Sequence, residues 1–240
     1  MFQERTMRSA AASAFVAAAL LFHGGQSLRG KGMQSHAAEA IDYNASYLIA
    51  VTGTAGMFAF AGHRHAVLAS AWSADLNVNL DDLTHSSATI TAPADKLVID
   101  SPTARQKAGL GKGPGDSDVR TIQKRMLSNE VLDAAQYPQI RFTSTGFKLQ
   151  GSGQLQVTGN MQIHGRAHPV TVQVKVRSHG RQTEFDGEFN VRQTDYGIEP
   201  ESVAGGMVKV KDSITIKFHI VMTAAHQAAA PLRRSNICSG

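Results

Sequence analysis

Cysteine is nearly absent from this chain. The one residue, Cys238, stands third from the end, so no disulfide can form within the chain. No lipidation pattern accompanies it. The fold must therefore stand on an apolar core, which the roughly 185 residues between an N-terminal leader and a C-terminal tail can supply as one domain. Aromatic residues are also few, with one Trp, four Tyr and ten Phe among 240 residues. No block of five like charges occurs, and no aromatics interleave with basic residues, which excludes a nucleic-acid surface. The longest apolar run, from Ala10 to Phe22, is too short for a comfortable membrane span of roughly 20 residues.

Catalytic motifs are missing too. Gly151-Ser152-Gly153 reads as a hairpin turn and not as a nucleophile elbow. The stretch Gly109 to Gly115 is glycine-rich, but it lacks the Lys-Ser/Thr ending of a phosphate-binding loop. Asp195 is a lone carboxylate, which gives no acid–base pair. No enzyme class, cofactor or resident metal is called for.

The N-terminus has the form of an export signal. Arg5 and Arg8 precede the apolar run, and Ala38-Glu39-Ala40 has the small-x-small form of a cleavage site. We divide the chain into a leader (1–40), a β domain (41–223) and a disordered tail (224–240), and expect a periplasmic or secreted location. Without the leader the net charge falls from +5 to +3, the value of a soluble, mildly basic surface.

What the chain does have is alternation. Val157, Met161 and Ile163 alternate with polar neighbours, as do Val170, Val172, Val174 and Val176, and later Val208, Val210, Ile214, Ile216, Phe218 and Ile220. Period two gives each strand one dry face and one wet face. Extended segments are expected at Tyr43–Thr52, Thr54–Phe60 (a first hairpin turning at Gly53), Val67–Leu80 and Ala88–Ile99. More follow at Gln139–Thr145, Phe147–Leu149, Leu155–Ile163, Val170–Ser178, Glu184–Val191 and Val208–Thr223. Tight turns imply antiparallel pairing. The fold class is all-β, an antiparallel eight-stranded lipocalin-like barrel. One short helix is inserted near 116–127, with Asp116-Ser117-Asp118 as its N-cap and Val119, Ile122, Met126 and Leu127 at helical spacing. The inward side chains are mostly Val, Ile and Met. Such a barrel either fills itself, serving only as an interaction module, or encloses a dry tunnel. The pattern alone leaves both readings open.

Gly62-His63-Arg64-His65 is the sharpest local feature. Two histidines at i and i+2 on a strand share a face, so they could grip a head group or begin a metal site. A metal needs further ligands, and His85, His164, His168, His179 and His219 show no selecting spacing. If Phe58 and Phe60 face the core, parity turns His63 and His65 to solvent, and a bulge at Gly62 would reverse that. His164 reads as a surface residue on the polar parity of its strand.

The ordered series of these segments resembles the YceI-like family of exported bacterial lipid-binding proteins. The segments are Gly62–His65, Met126-Leu127-Ser128 through Leu132-Asp133 to Tyr137-Pro138-Gln139-Ile140-Arg141-Phe142-Thr143-Ser144, Val157–Gly165, Gln193–Ile198 and Val208–Phe218. The resemblance implies a barrel that holds a polyisoprenoid or related long-chain lipid in an apolar tunnel, without catalysis. It makes the helix a lid or flank, and it leaves room for transient membrane contact and for a homodimer. Two places depart from the family pattern. Met126 stands where many members have histidine, and Gln193 where many have arginine. The expected ligand-binding set is His63, His65, Val157, Met161, Ile163, Val172, Val174, Phe185, Phe189, Ile216 and Phe218, with Arg64 also at the head-group end. The runner-up is a metal- or haem-linked redox or stress protein using His63 and His65.

Overall fold

The computed structural model describes residues 39–57, 62–80, 82–203 and 207–224. The expected leader before residue 39, the expected parity of Phe58 and Phe60, and the expected tail beyond Ala224 with Cys238 lie outside the described residues.

The strands run β1 (Glu39–Ile41), β2 (Tyr47–Val51), β3 (Thr54–Ala55), β4 (Ala66–Ala69), β5 (Ser73–Asn77), β6 (Ser87–Pro93) and β7 (Leu97–Ile99). Two helices follow, α1 (Pro102–Ala108) and α2 (Asp116–Leu127). Then come β8 (Gln139–Gly151), β9 (Gln154–Ile163), β10 (Arg166–His179), β11 (Gln182–Arg192), β12 (Ser202–Val203), β13 (Val208–Val210) and β14 (Ser213–Ala224).

Ten strands form one antiparallel sheet in the order β5-β6-β8-β9-β10-β11-β14-β2-β4-β7, with β1 paired to the far end of β14. The expectation of eight strands in a closed barrel is corrected to a strongly curled, open half-barrel. Among the described residues its edges β5 and β7 are not hydrogen-bonded to each other. The chain nevertheless passes between the two edge regions twice, through Ser70–Trp72 and through Ala94–Lys96. A link of that length spans at most about 14 Å, so the sheet must curl until its edges approach. Ser70 donates its backbone N–H to Lys96 O (2.9 Å) at this corner.

Other expectations change as well. Val67–Leu80 is two strands near opposite ends of the sheet, β4 beside the edge strand β7 and β5 at the other edge. Thr54 and Ala55 do not pair with β2; they join β13 and β12 in a small second sheet. Residues 102–108, which no helical stripe marks in the sequence, form a helix. Ser101 Oγ accepts from Ala104 N–H at its start, Pro102 is its first residue, and Gly109 closes it at φ 67, all ordinary start and stop chemistry. The N-cap of α2 is Gly115, one residue before the expected cap, and Asp116 and Asp118 act in the first turn instead.

The meander β8–β11 follows its sequence closely. The two-residue turn between β9 and β10 places His164 (φ 50) and Gly165 (φ 72) in the left-handed region, as a type I′ turn requires. His164 is thus a half-buried turn residue, not a surface residue on a strand. Inner positions Leu155, Val157, Met161, Ile163, Val172, Val174, Phe185 and Val191 are buried. Gly159 and Gly187 interrupt the inner alternation for a reason of space. A Cβ at Gly159 would lie 2.5 Å from the Phe142 ring, and one at Gly187 would lie 2.5 Å from the Phe218 ring. Each glycine lets a neighbouring strand's phenyl ring lie over it.

Strands β2 and β4 are apolar on both faces. Leu48, Ala50, Val67 and Ala69 face inward, while Ile49, Ala66 and Leu68 pack against Ala104, Ala108 and Leu110 of α1 and its C-terminal turn. Helix α2 lies by the edge strand β7. Its Gln123 accepts from Ile99 N–H (2.9 Å) and donates to Leu97 O (2.7 Å), so a side-chain amide stands in for a missing neighbour strand.

Candidate functional site: an apolar tunnel with a polar mouth

The inner face encloses a cavity of about 980 Å³, at the upper end of the roughly 300–1,000 Å³ range of small-molecule sites. It runs along β9 from Leu155 to Ile163, ~27 Å at the rise of an extended strand. At the Leu155 end the wall is Leu76, Val78, Ile90, Phe147, Phe185 and Ile220. Trp72, edge-on to Tyr43 (4.8 Å between centroids), packs against this cluster. His63, His65, Val157, Met161, Ile163, Val172, Val174, Phe185, Phe189, Ile216 and Phe218 all line the cavity. Gln193 and Met126, the two departures from the family pattern, line it too, at its other end.

Polar groups gather at that other end. Asp118, Thr121, Ile122, Arg125 and Met126 come from one face of α2, and Glu201, Ser202, Val208, Lys209 and Val210 from the small sheet and the loop before it. Arg125 Nε donates to Glu201 Oε1 (3.1 Å) and its Nη1 pairs with Glu130 (2.6 Å), which ties α2 to that loop. Gln193 Nε2 donates to Lys211 O (2.9 Å). Tyr196 is 1 % exposed. Burial, aided by the nearby Asp195 charge, pushes its phenol up to about 12, so it stays protonated.

His65 is fixed at both its backbone and its ring. Its N–H donates to Thr52 Oγ1 (2.9 Å) and its Nδ1 lies 2.6 Å from Asp100 Oδ2. Asp100 is the buried charged residue among the described ones, at the positive φ of 51. Its Oδ1 accepts from Ala66 N–H (3.0 Å) and from Arg105 Nη1 (2.7 Å). Burial would raise the Asp100 carboxyl, but the hydrogen bonds from His65, Ala66 and Arg105 outweigh it and hold the group below its ordinary value. Arg105 also donates to Arg64 O, Gly111 O and Lys112 O. The Gly-rich loop and the Gly-His-Arg-His segment are thereby fastened to one guanidinium. Residues 63–65 are not in a strand, so the expectation that the two histidines share a strand face does not hold. His63 is exposed at the rim, whereas His65 is turned onto Asp100.

Sequence reasoning missed Asp100 and Arg105. An aspartate between a short strand and a Ser-Pro helix start reads as a turn residue. Only the pairing of β4 with β7 brings positions 65 and 100 together.

The remaining histidines do not converge on the mouth as ligands. His85 bonds Asp82 on an exposed turn, His164 lies beside Tyr137 and Tyr196 O, and His168 stacks edge-on to Tyr196. Among the described residues, the group with metal-ligand spacing is Glu184, Asp186 and His219, within 4.8 Å of one another. They lie on the opposite parity to the cavity-lining Phe185, Ile216 and Phe218. Arg177 already donates to Glu184 (2.9 Å) and Asp186 (2.6 Å), and His219 to Asp186 (2.8 Å). The carboxylate oxygens are thus already engaged in a hydrogen-bonded network centred on Arg177.

Three comparisons bear on this geometry. The sequence model of the YceI-like domain matches residues 40–222. The proteins named Protein YceI from Salmonella arizonae and Salmonella newport are each 33% identical over 89 residues, 35% of this chain and 46% of theirs. The aligned stretch thus spans less than half the length of those relatives. Among solved structures, Burkholderia cenocepacia BcnA matches with a TM-score of 0.58 at 22% identity, over 76% of this chain and 99% of its own. A polyisoprenoid binding domain from Saccharophagus degradans, implicated in plant cell wall breakdown, matches with a TM-score of 0.53 at 15% identity, over 79% and 100%. At these identities the likeness is one of fold.

Proposed function

The chain belongs to the YceI-like domain family, and on that premise we propose that it is a non-enzymatic carrier or sequestering protein for a polyisoprenoid or similar long-chain amphiphile. The observation that carries this reading is the cavity. It is about 980 Å³, runs the length of β9, is apolar at one end and polar at the other. A self-filled barrel would leave no such volume. Burying a chain there contributes about 0.8 kcal/mol per CH₂ at most, before ordering costs. The Saccharophagus degradans domain, named for polyisoprenoid binding, lends support by fold. The Arg5, Arg8 and Ala10–Phe22 leader supports export to the periplasm or medium. Met57 and Met207, both exposed beside the small sheet, suit a brief meeting with a membrane during loading.

Organic extraction of the purified protein and mass spectrometry should yield a long-chain lipid, and a fluorescent polyene probe should be taken up. Protein from several hosts that yields no lipid and takes up no probe ends the carrier reading. The runner-up, a metal- or haem-linked redox protein, gains no support from the geometry. His63 and His65 would supply two ligands at most, and no third joins them among the described residues. Metal analysis of His63→Ala with His65→Ala separates the two readings; stoichiometric metal lost in the double variant would favour the runner-up.

A further inference from the structure

We propose that His65 is a fixed hydrogen-bond acceptor at the tunnel mouth, and that the amphiphile held there carries a neutral hydroxyl head. The inference rests on the carrier reading and adds to it the chemical class of the ligand's polar end.

The argument begins with the buried carboxylate. Asp100 accepts at both oxygens, from Ala66 N–H and Arg105 on Oδ1 and from His65 on Oδ2. An acceptor-only group facing Nδ1 obliges Nδ1 to carry the proton. In the neutral ring the other nitrogen, Nε2, is then a lone pair, as in a histidine oriented by a carboxylate for a task at its far side. Nε2 has no partner among the described residues, and no buried side-chain nitrogen or oxygen there lacks one. Nε2 is therefore reachable, and His65 lines the cavity. A histidine kept only for packing would not require a buried aspartate at positive φ, a nearly buried arginine (13 % exposed side chain) and a hydroxyl on its own N–H.

Charge then selects the head group. The Arg105 cation beside this acceptor is matched by Asp100. Arg125 is matched by Glu201 and Glu130. The ionisable lining outside the histidines and Tyr196 is Asp118 and Glu201 against Arg125 and Lys209, a neutral balance. An anionic head would meet no rigid, unmatched cation, whereas a hydroxyl can donate to Nε2 and leave its oxygen toward the polar rim. Lys209, exposed on β13, and Arg64, exposed at the rim beside His65, are mobile surface cations where a phosphate head would bind instead.

Binding of geranylgeraniol, its methyl ether and geranylgeranyl phosphate to the full chain tests this. The alcohol is expected to bind about tenfold tighter than the ether, the size of one hydrogen bond, and at least as tightly as the phosphate. His65→Phe should abolish the alcohol's preference while leaving the ether's affinity within about twofold. Asp100→Asn, whose amide can donate to Nδ1 and push the proton to Nε2, should abolish it too; if that variant fails to fold, His65→Phe still decides. Nitrogen-15 NMR should show Nε2 of His65 unprotonated and shifted on addition of the alcohol, a change that a structural histidine would not show. Equal binding of alcohol and ether, a preference surviving in His65→Phe, tighter binding of the phosphate, or a protonated Nε2 each overturns the proposal. Failure of all three probes to bind would instead remove the carrier reading, and this inference with it.

Discussion

The meander β8–β11 and the region from β2 to α2 build opposite halves of the same tunnel by different means. In the meander each strand pairs with its chain neighbour across a turn of two residues. Its specification is local, consisting of alternation, glycine turns and one buried face. In the earlier region strands of two to seven residues pair across longer separations. Residues 65 and 100 meet through one carboxylate, and a helix glutamine finishes a sheet edge. The first half-wall is held by apolar area. The second is held by polar groups whose partners lie far away in the chain, and loss of a partner there leaves a buried charge or a bare edge. The largest mutational cost should therefore fall in the second region, although the first contains more of the core.

Asp100→Ala should be the most damaging single change. It leaves Arg105 nearly buried with only carbonyls to face, and removing one partner of a buried pair costs about 3 kcal/mol or more. Urea unfolding would show it; a loss below about 1 kcal/mol would mean that the Asp100 network is not what anchors the mouth. The pH dependence should have a limb for each sign of shift. Asp100 is lowered on folding, so its stabilisation is present above the unfolded carboxylate value of about 3.9 and lost as pH falls through the lower folded value. Tyr196 is raised to about 12, so its contribution is full below about pH 10 and lost as pH climbs toward 12. Melting temperatures across pH 8–12 should hold to about pH 10 and then fall, with Tyr196→Phe lacking that alkaline limb.

Next in size comes a test inside the meander. Gly159→Ala puts a methyl 2.5 Å from the Phe142 ring and 2.6 Å from Thr143 O. The ring can give way but the backbone oxygen cannot, so about 2 kcal/mol is expected, as for overpacking generally. Gly111→Ala, with open space around its Cβ, is the matched control and should be near neutral. Equal effects would show that glycine entropy, not the ring, sets the cost.

These variants also mark what could be read from the amino-acid sequence. The meander strands and the cavity-lining parity were legible because period two survives wherever one face stays dry. Val67–Leu80 was misread as one strand because alternation carries no record of the partner. The pattern runs on through Ser70–Trp72 while the chain changes edges. Helix α1 escaped notice although Ser101, Pro102 and Gly109 spell out its ends, because seven residues with few apolar positions give no helical stripe. In the candidate site the apolar lining followed from parity. The Asp100–Arg105 pair did not, since a turn aspartate and a helix arginine look solvated until β4 and β7 pair. The tenth strand and the open seam depend on that same long-range pairing.

A smaller effect probes the edge clamp. Gln123→Ala removes both hydrogen bonds to β7 and exposes two backbone groups to water. About 1 kcal/mol is expected, with faster hydrogen exchange at Ile99 N–H and little change at the meander amides. Exchange that accelerates equally in both regions would mean they unfold as one unit and that the contrast between them is only architectural.

The smallest effect should come from the outer face of the meander, where polar groups are not buried. Arg177 donates to Glu184 and Asp186 with its side chain 36 % exposed. These carboxylates raise the guanidinium above its ordinary value, yet water in contact with the pairs screens most of their attraction. Arg177→Ala should thus cost far less than Asp100→Ala despite removing as many ion pairs. A second consequence is chemical. Without Arg177, Glu184, Asp186 and His219 remain within 4.8 Å of one another with no guanidinium occupying the carboxylates, a donor set suited to Zn²⁺. Zn²⁺ titration followed calorimetrically should show weak binding in Arg177→Ala and less in the native chain. If Arg177→Ala instead destabilises the protein as strongly as Asp100→Ala, burial is not what separates the two regions, because an exposed network would then carry the same cost as a buried one.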